Sequence, residues 1–271
     1  MTRILVFDSG VGGLSVVEAI VAAGLPVEID YLADSAWLPY GEKADTALRA
    51  RIPELLAATA EATVPDLVVL ACNTASTLAL AQVRAALSAP VVGVVPAIKP
   101  AAALTKTGVI GLLATPATVR RPYTDRLIAE HAQGCLVLLA GAPDLVALAE
   151  EAQAGAAPEV ARIAASLRLL ADQPRGAEID VIVLACTHFP LLRQQFELVR
   201  PDIRFIDSGA AVARRVAQLL ALAPNQTAFP RLGVAAQTGD VPEGVFRRAG
   251  FACVTQVQAV SPFRRFNNTN A

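Results

Sequence analysis

The sequence predicts an α/β protein of two pseudo-symmetric domains, each a mostly parallel sheet flanked by helices, with a site in the cleft between them. Three observations carry this. Short apolar runs alternate with helical patterns along nearly the whole chain, as in parallel sheets covered by helices. One frame occurs twice, Asp66-Leu-Val-Val-Leu-Ala-Cys72 and Asp180-Val-Ile-Val-Leu-Ala-Cys186. The two cysteines also follow similar openings at similar distances: Cys72 lies 64 residues after Asp8, and Cys186 lies 71 after Thr115.

The elements follow in order. A strand at 4–7 runs into Asp8-Ser9-Gly10-Val11-Gly12-Gly13 and a helix over 14–23. This turn is neither GxGxxG nor a P-loop, so its glycines are read as letting the backbone approach a small ligand. A strand at 27–32 leads into a long loop with Trp37, Pro39, Tyr40 and Gly41, then a helix over 46–62 with Pro53 as a kink or break. The strand at 67–71 ends at Cys72, and a helix continues to about residue 87. After a strand at 91–95, Pro96 to Pro100 looks like a crossover between domains.

The second unit repeats the opening: a strand at 108–114, a small polar turn at Thr115-Pro116-Ala117-Thr118, and a helix to about 131. A strand at 136–139 and amphipathic helices at 143–152 and 158–171 precede the second cysteine frame. Asp207-Ser208-Gly209 follows a strand at 203–206 and opens a helix to about 222. Strands at 232–236 and 253–257, with a helix near 241–249, return to the first domain. The expected division is therefore 1–97 plus 208–271 for the first domain and 98–207 for the second. The polar stretch 261–271 reads as a frayed tail.

Bulk properties narrow the function. The 271 residues are 54% hydrophobic and 17% charged, which gives a generous core. A net charge of −1 offers no electrostatic footprint for nucleic acid or an anionic membrane. No apolar run is long enough to span a bilayer, and no signal-peptide layout opens the chain. The four cysteines include no CxxC pair and are expected as reduced thiols in a cytoplasm.

Each apolar frame reads as a buried strand that ends in a thiol and hands over to a helix. Asn73, Thr74 and Ser76 can open the first helix, and Thr187 with Pro190 the second. Backbone N–H groups and a helix dipole at that place are expected to lower the thiol pKa. A single such cysteine would read as a small buried hydrophobe; two in matching frames ask for another explanation. A disulfide would need the two strand mouths in contact. Two thiols on facing domains can instead flank one carbon, one removing a proton from one face while the other delivers a proton to the opposite face. Asp8 stands as helper for Cys72 and His188 for Cys186. Cys135 and Cys253 lack a following polar turn and read as bystanders. Pyridoxal phosphate chemistry needs a Schiff-base lysine, and Lys43, Lys99 and Lys106 have no suitable setting. A metal site would need clustered ligands, which the spacing does not supply.

The set Phe7-Asp8-Ser9-Gly10-x-Gly-Gly, Pro39-Tyr40-Gly41, Ala71-Cys72-Asn73-Thr74-Ala75-Ser76 and Ala185-Cys186-Thr187-His188-Phe189-Pro190-Leu191 resembles the bacterial glutamate racemases of the aspartate/glutamate racemase superfamily. The resemblance covers nearly all of residues 4–208. It implies a cytoplasmic, cofactor-independent isomerase, with no metal, that supplies D-glutamate for peptidoglycan. By matching motif, Cys72 would deprotonate D-glutamate and Cys186 L-glutamate, assisted by Asp8 and His188. Asp8, Ser9, Pro39, Tyr40, Gly41, Asn73, Thr74, Thr187 and His188 would hold the ammonium and the two carboxylates. The stretch Val94-Val95-Pro96-Ala97-Ile98 differs from the acidic Glu-Pro that many relatives carry there. The resemblance allows a homodimer and no nucleic-acid or membrane partner. Three alternatives stand beside it: an enzyme like aspartate racemase, a non-catalytic protein that binds glutamate or inhibits gyrase, and a cysteine hydrolase, which would leave the second cysteine motif unexplained.

Overall fold

Runs such as Ile4-Leu-Val-Phe7 and Val181-Ile-Val-Leu184 are apolar on both faces, so they fold as inner strands of parallel sheets covered on each side by helices. A computed structural model of the protein describes residues 1–223 and 230–257; the expected frayed tail lies outside the described residues. The chain begins β1 (Thr2–Asp8), α1 (Leu14–Ala22), β2 (Val27–Ala33), α2 (Asp45–Thr63), β3 (Leu67–Leu70), α3 (Asn73–Ala86) and β4 (Val91–Gly93). It continues with α4 (Ile98–Leu104), β5 (Val109–Ala114), α5 (Pro116–Val119), α6 (Pro122–His131), β6 (Leu136–Gly141), α7 (Asp144–Ala154), α8 (Val160–Ala171), β7 (Val181–Leu184), α9 (Arg193–Val199) and β8 (Arg204–Ile206). The last described elements are α10 (Gly209–Leu219), β9 (Arg231–Gln237), α11 (Glu243–Arg248) and β10 (Cys253–Gln256).

Two sheets result, ordered β10-β9-β2-β1-β3-β4 and β6-β5-β7-β8, with parallel pairing throughout. Alternation within each strand divides the core. Ile4 and Val6 of β1 pack with Val17 and Ile20 of α1 and with Val212 and Val216 of α10. Leu5 and Phe7, one residue out of phase, pack with Leu48, Ile52 and Leu56 of α2 and Leu78 of α3. In the second sheet Val109 and Leu113 meet Leu145, Ile163 and Leu167, while Ile110 and Leu112 meet Ala101 and Leu127. Each fully buried branched side chain contributes about 1.5–3 kcal/mol relative to exposure. These layers fix the strand ends to which the functional residues are attached.

The strand order has one consequence for function. In the first sheet the chain steps from β1 to β2 on one side, then returns to place β3 on the other. The second sheet does the same with β5, β6 and β7. Each sheet therefore has a crevice where the strand order reverses, at the carboxyl ends of β1 and β3 and of β5 and β7. That is where open α/β sheets bind ligands.

Four local expectations need correction. Pro53 does not break its helix: α2 runs unbroken from Asp45 to Thr63. The buried apolar row Leu48, Ile52, Leu55 and Leu56 holds the helix across the missing N–H. The 96–100 crossover contains a helix, because Pro100 occupies the first turn of α4, where the absent N–H has no helical partner to lose. The expected single helix to residue 131 is two, α5 and α6, with Pro122 starting the second. Finally, no α-helix directly follows Cys186. A 3₁₀ turn, Phe189–Leu192, intervenes before α9.

Candidate active site

Both crevices open onto the same cleft. Cys72 follows β3 and Cys186 follows β7, and both line this cleft together with Ser9, Pro39, Tyr40, Gly41, Asn73, Thr74, Thr187 and His188. Thr115, at the end of β5, lines it too. Asp8 lies behind the lining, fully buried at the end of β1. The sequence-derived set is thus brought together, although its members are spread over nearly two hundred residues. Both cysteines are free thiols. Cys135 is half-buried ahead of β6, and Cys253 is exposed at the start of β10.

The surroundings of the thiols differ from expectation. Cys72 is the residue just before α3 and is 6% exposed. A backbone hydrogen bond from Ala75 favours its thiolate, but burial and then the charge of Asp8 outweigh it and push the thiol up to about 12. The expected lowering at the helix start is therefore overturned by desolvation. The direct neighbour of Cys72 is Ser9, with Oγ 3.8 Å from Sγ. Cys186, also 6% exposed, has His188 Nδ1 at 3.9 Å from its sulfur.

Asp8 reaches across the cleft. Its Oδ2 accepts from Thr187 Oγ1 at 2.9 Å and its Oδ1 from the Gly10 N–H at 2.9 Å. Burial raises its pKa, and the nearby His188 partly offsets this. His188 is completed by a residue that the sequence did not single out: Glu150 on α7, whose Oε1 lies 2.7 Å from His188 Nε2. Burial works against the imidazolium, but the contacts with Cys186 and Glu150 prevail and hold His188 protonated well above the usual range. The same Glu150 oxygen accepts from the Val11 N–H at 2.9 Å.

This explains the glycines of the β1–α1 turn. A Cβ on Gly12 would lie 2.4 Å from His188 Nδ1, and one on Gly10 would lie 2.1 Å from Glu150 Oε1. Neither residue has a positive φ. They are needed for close approach to the facing side chains rather than for an unusual backbone conformation or a ligand alone.

The Trp37–Tyr40 loop is a site wall and not a plain surface turn. Tyr40 is buried and donates to Asp34 Oδ2 at 2.6 Å. Arg51 grips the same carboxylate in two bonds of 2.6 and 2.7 Å, and Thr238 Oγ1 donates to Oδ1 at 2.7 Å. The Arg51 guanidinium also stacks 4.6 Å from the Trp37 ring. Asp34 thus anchors the loop that presents Tyr40 and Gly41. In the cleft itself, Asn73 Oδ1 is buried with no hydrogen-bond partner, which marks it as an acceptor for a ligand donor.

The arrangement offers two thiols in one enclosed space, a carboxylate and unpaired amide oxygen for a cation, and hydroxyl and backbone donors for carboxylates. Among the described residues, no group of three or more His, Cys, Asp or Glu could hold a metal ion. No described helix is long and apolar enough to cross a membrane.

Comparison with known proteins shows the family and the fold. The family model for Asp/Glu/Hydantoin racemase matches residues 9–216. The glutamate racemase of Sphingopyxis alaskensis is 52% identical over 217 residues, covering 80% of this chain and 81% of that one. The structure of Escherichia coli glutamate racemase in complex with L-glutamate and the activator UDP-MurNAc-ala superposes with a TM-score of 0.84 at 39% identity, over 95% of this chain and 98% of that one. Glutamate racemase from Francisella tularensis in complex with D-glutamate gives a TM-score of 0.75 at 25% identity, over 96% and 98% of the two chains.

Proposed function

The chain belongs to the Asp/Glu/Hydantoin racemase family and is a racemase, and from that premise we propose that it interconverts L- and D-glutamate by passing the α-proton between two thiols without a cofactor. The observation that carries this is the pair Cys72 and Cys186 at matching switch points of two facing sheets, lining one cleft.

In the direction from L-glutamate, the Cys186 thiolate takes the α-hydrogen as a proton. The electron pair left on carbon spreads into the adjacent carboxylate. The Cys72 thiol then gives its proton to the opposite face, which yields D-glutamate and a Cys72 thiolate. The reverse direction exchanges the roles. His188, kept protonated beside Cys186 with the help of Glu150, stabilises the Cys186 anion. Asp8, Ser9 and the free oxygen of Asn73 suit the substrate ammonium, whose positive charge also draws the Cys72 pKa down from its value in the buried site. Tyr40, Gly41, Thr74, Thr187 and His188 suit the carboxylates, and Pro39 shapes the loop that carries Tyr40.

The two working units are 1–97 with 208–271, and 98–207, so that each thiol belongs to a different one. The product D-glutamate serves peptidoglycan synthesis in the cytoplasm. A homodimer is compatible with a cleft lined by one chain but is not required by it.

Circular dichroism of L-glutamate with catalytic amounts of protein and no added cofactor tests the reading. The signal should decay to zero. Cys72→Ser and Cys186→Ser should each slow the decay at least about a thousandfold, within the range typical of acid–base groups, because a hydroxyl is a far weaker acid than a thiol. Wild-type turnover in either variant would overturn the two-thiol assignment.

A further inference from the structure

Besides a bond from Arg248 to the Gln153 carbonyl, two seams of hydrogen bonds join the halves of the molecule. One is made of the candidate machinery itself: Asp8 with Thr187, the Val11 N–H with Glu150, and Ser15 Oγ donating to the Thr187 carbonyl at 2.9 Å. The other is made by Arg121, the residue just before α6. Its Nη1 donates to the Thr74 carbonyl at 2.8 Å and to Thr77 Oγ1 at 2.6 Å, and its Nη2 to Asp45 Oδ1 at 2.9 Å. One guanidinium on the second sheet's side thus ties together the first turns of α2 and α3 on the first sheet's side.

The setting gives these bonds weight. The Arg121 side chain is only 11% exposed, and its bonds are charge-assisted. Thr74, whose carbonyl it holds, is the second residue of α3. It stands two places from Cys72 and lines the cleft. Meanwhile the free space at the cleft is about 20 Å³, which is room for a water molecule and far too little for a five-carbon dicarboxylate. Both thiols line this space and are otherwise buried. The halves must part for substrate to enter, and the Arg121 bonds span the seam that parts.

We propose that Arg121 is a positioning residue that latches the second half of the molecule onto the first turn of α3, holding Thr74 in place and governing how readily the cleft opens. It touches no reacting atom. The name of the substrate rests on the racemase reading above; the latch itself rests only on the cleft and its contacts.

Alkylation of the cysteines by iodoacetamide, resolved by site with mass spectrometry, tests this without any substrate. Exposed Cys253 serves as the internal reference. In Arg121→Ala, Cys72 and Cys186 should react about tenfold faster while Cys253 is unchanged. Arg121→Lys should restore part of the protection, and Thr77→Val, which removes one partner, should give a smaller rise. In the racemisation assay the KM for both enantiomers should rise several-fold, more than kcat falls. If Arg121→Ala does not fold by circular dichroism, the Arg121→Lys and Thr77→Val rates decide. Unchanged alkylation of Cys72 and Cys186 in the folded variants overturns the latch. Faster alkylation in a protein that does not turn over glutamate would leave the latch standing and overturn the substrate assignment instead.

Discussion

Burial and nearby charge compete at the scale of single residues. Cys72 sits at a helix start, where the dipole favours a thiolate, yet desolvation and the Asp8 charge push it up to about 12. His188 goes the other way, because Glu150 and Cys186 outweigh its burial. A histidine whose pKa is raised by folding adds stability that is complete below about 6.5 and is lost as pH rises through the folded value. Glu150→Gln removes one of the two supports. The alkaline limb of the kcat/KM profile should then move to lower pH, with part of the His188 stabilisation lost at neutral pH. L- and D-glutamate have equal free energy in water, so kcat/KM must fall by the same factor in both directions, and only kcat and KM separately can differ. An unmoved alkaline limb in Glu150→Gln would separate Glu150 from the chemistry. Glu150 was not legible in the sequence. It lies in an ordinary amphipathic helix, and only the folding of α7 against the β1–α1 turn, 139 residues away from Val11, gives it a partner. The cysteines were legible because their frame repeats. The pairing of Asp8 with Thr187 rather than with Cys72 was not, since it spans 179 residues.

At the scale of elements, the loop after β2 depends on one fully buried carboxylate. Asp34 binds Arg51, Tyr40 and Thr238 at once. Asp34→Ala leaves a guanidinium and a buried phenol unpaired, which should cost roughly 3 kcal/mol in urea unfolding, as for other broken buried pairs. It should also raise KM for both enantiomers, because Tyr40 and Gly41 lose their anchor. A loss below about 0.5 kcal/mol with unchanged KM would show that the loop is held by packing alone, as ordinary surface changes are. Most elements were readable from their own residues. The strands announce themselves as apolar runs bounded by turn residues, and the helices by their period. The failures lie at proline. Pro96 and Pro100 read as breakers, though Pro100 sits harmlessly in the first turn of α4. Pro53 reads as a break, though packing carries α2 through it. Pro122 divides a helical pattern that otherwise looks continuous. In each case tertiary context, or the position of the proline within its turn, decided what local propensity could not.

At the scale of the whole molecule, the reversal of strand order in each sheet puts a crevice beside β1 and β3 and a second beside β5 and β7. Turning the two crevices toward one another creates a space with a thiol on either side. This explains why the cysteine frame occurs twice, and why the site residues are scattered along the chain yet meet. The repeat predicted two related units; the sheet order shows how the repeat becomes one site. The central claim is that each thiol serves one face of the α-carbon. Racemisation of L-glutamate in deuterated water, followed by mass spectrometry of the separated enantiomers at low conversion, tests it most directly. A thiol exchanges its proton with solvent, so the D-glutamate formed should carry deuterium at the α-carbon from the first turnovers, while the remaining L-glutamate stays unlabelled. Label appearing in the L-glutamate as early and to the same extent as in the D-product would mean that a single base serves both faces, and would contradict the account.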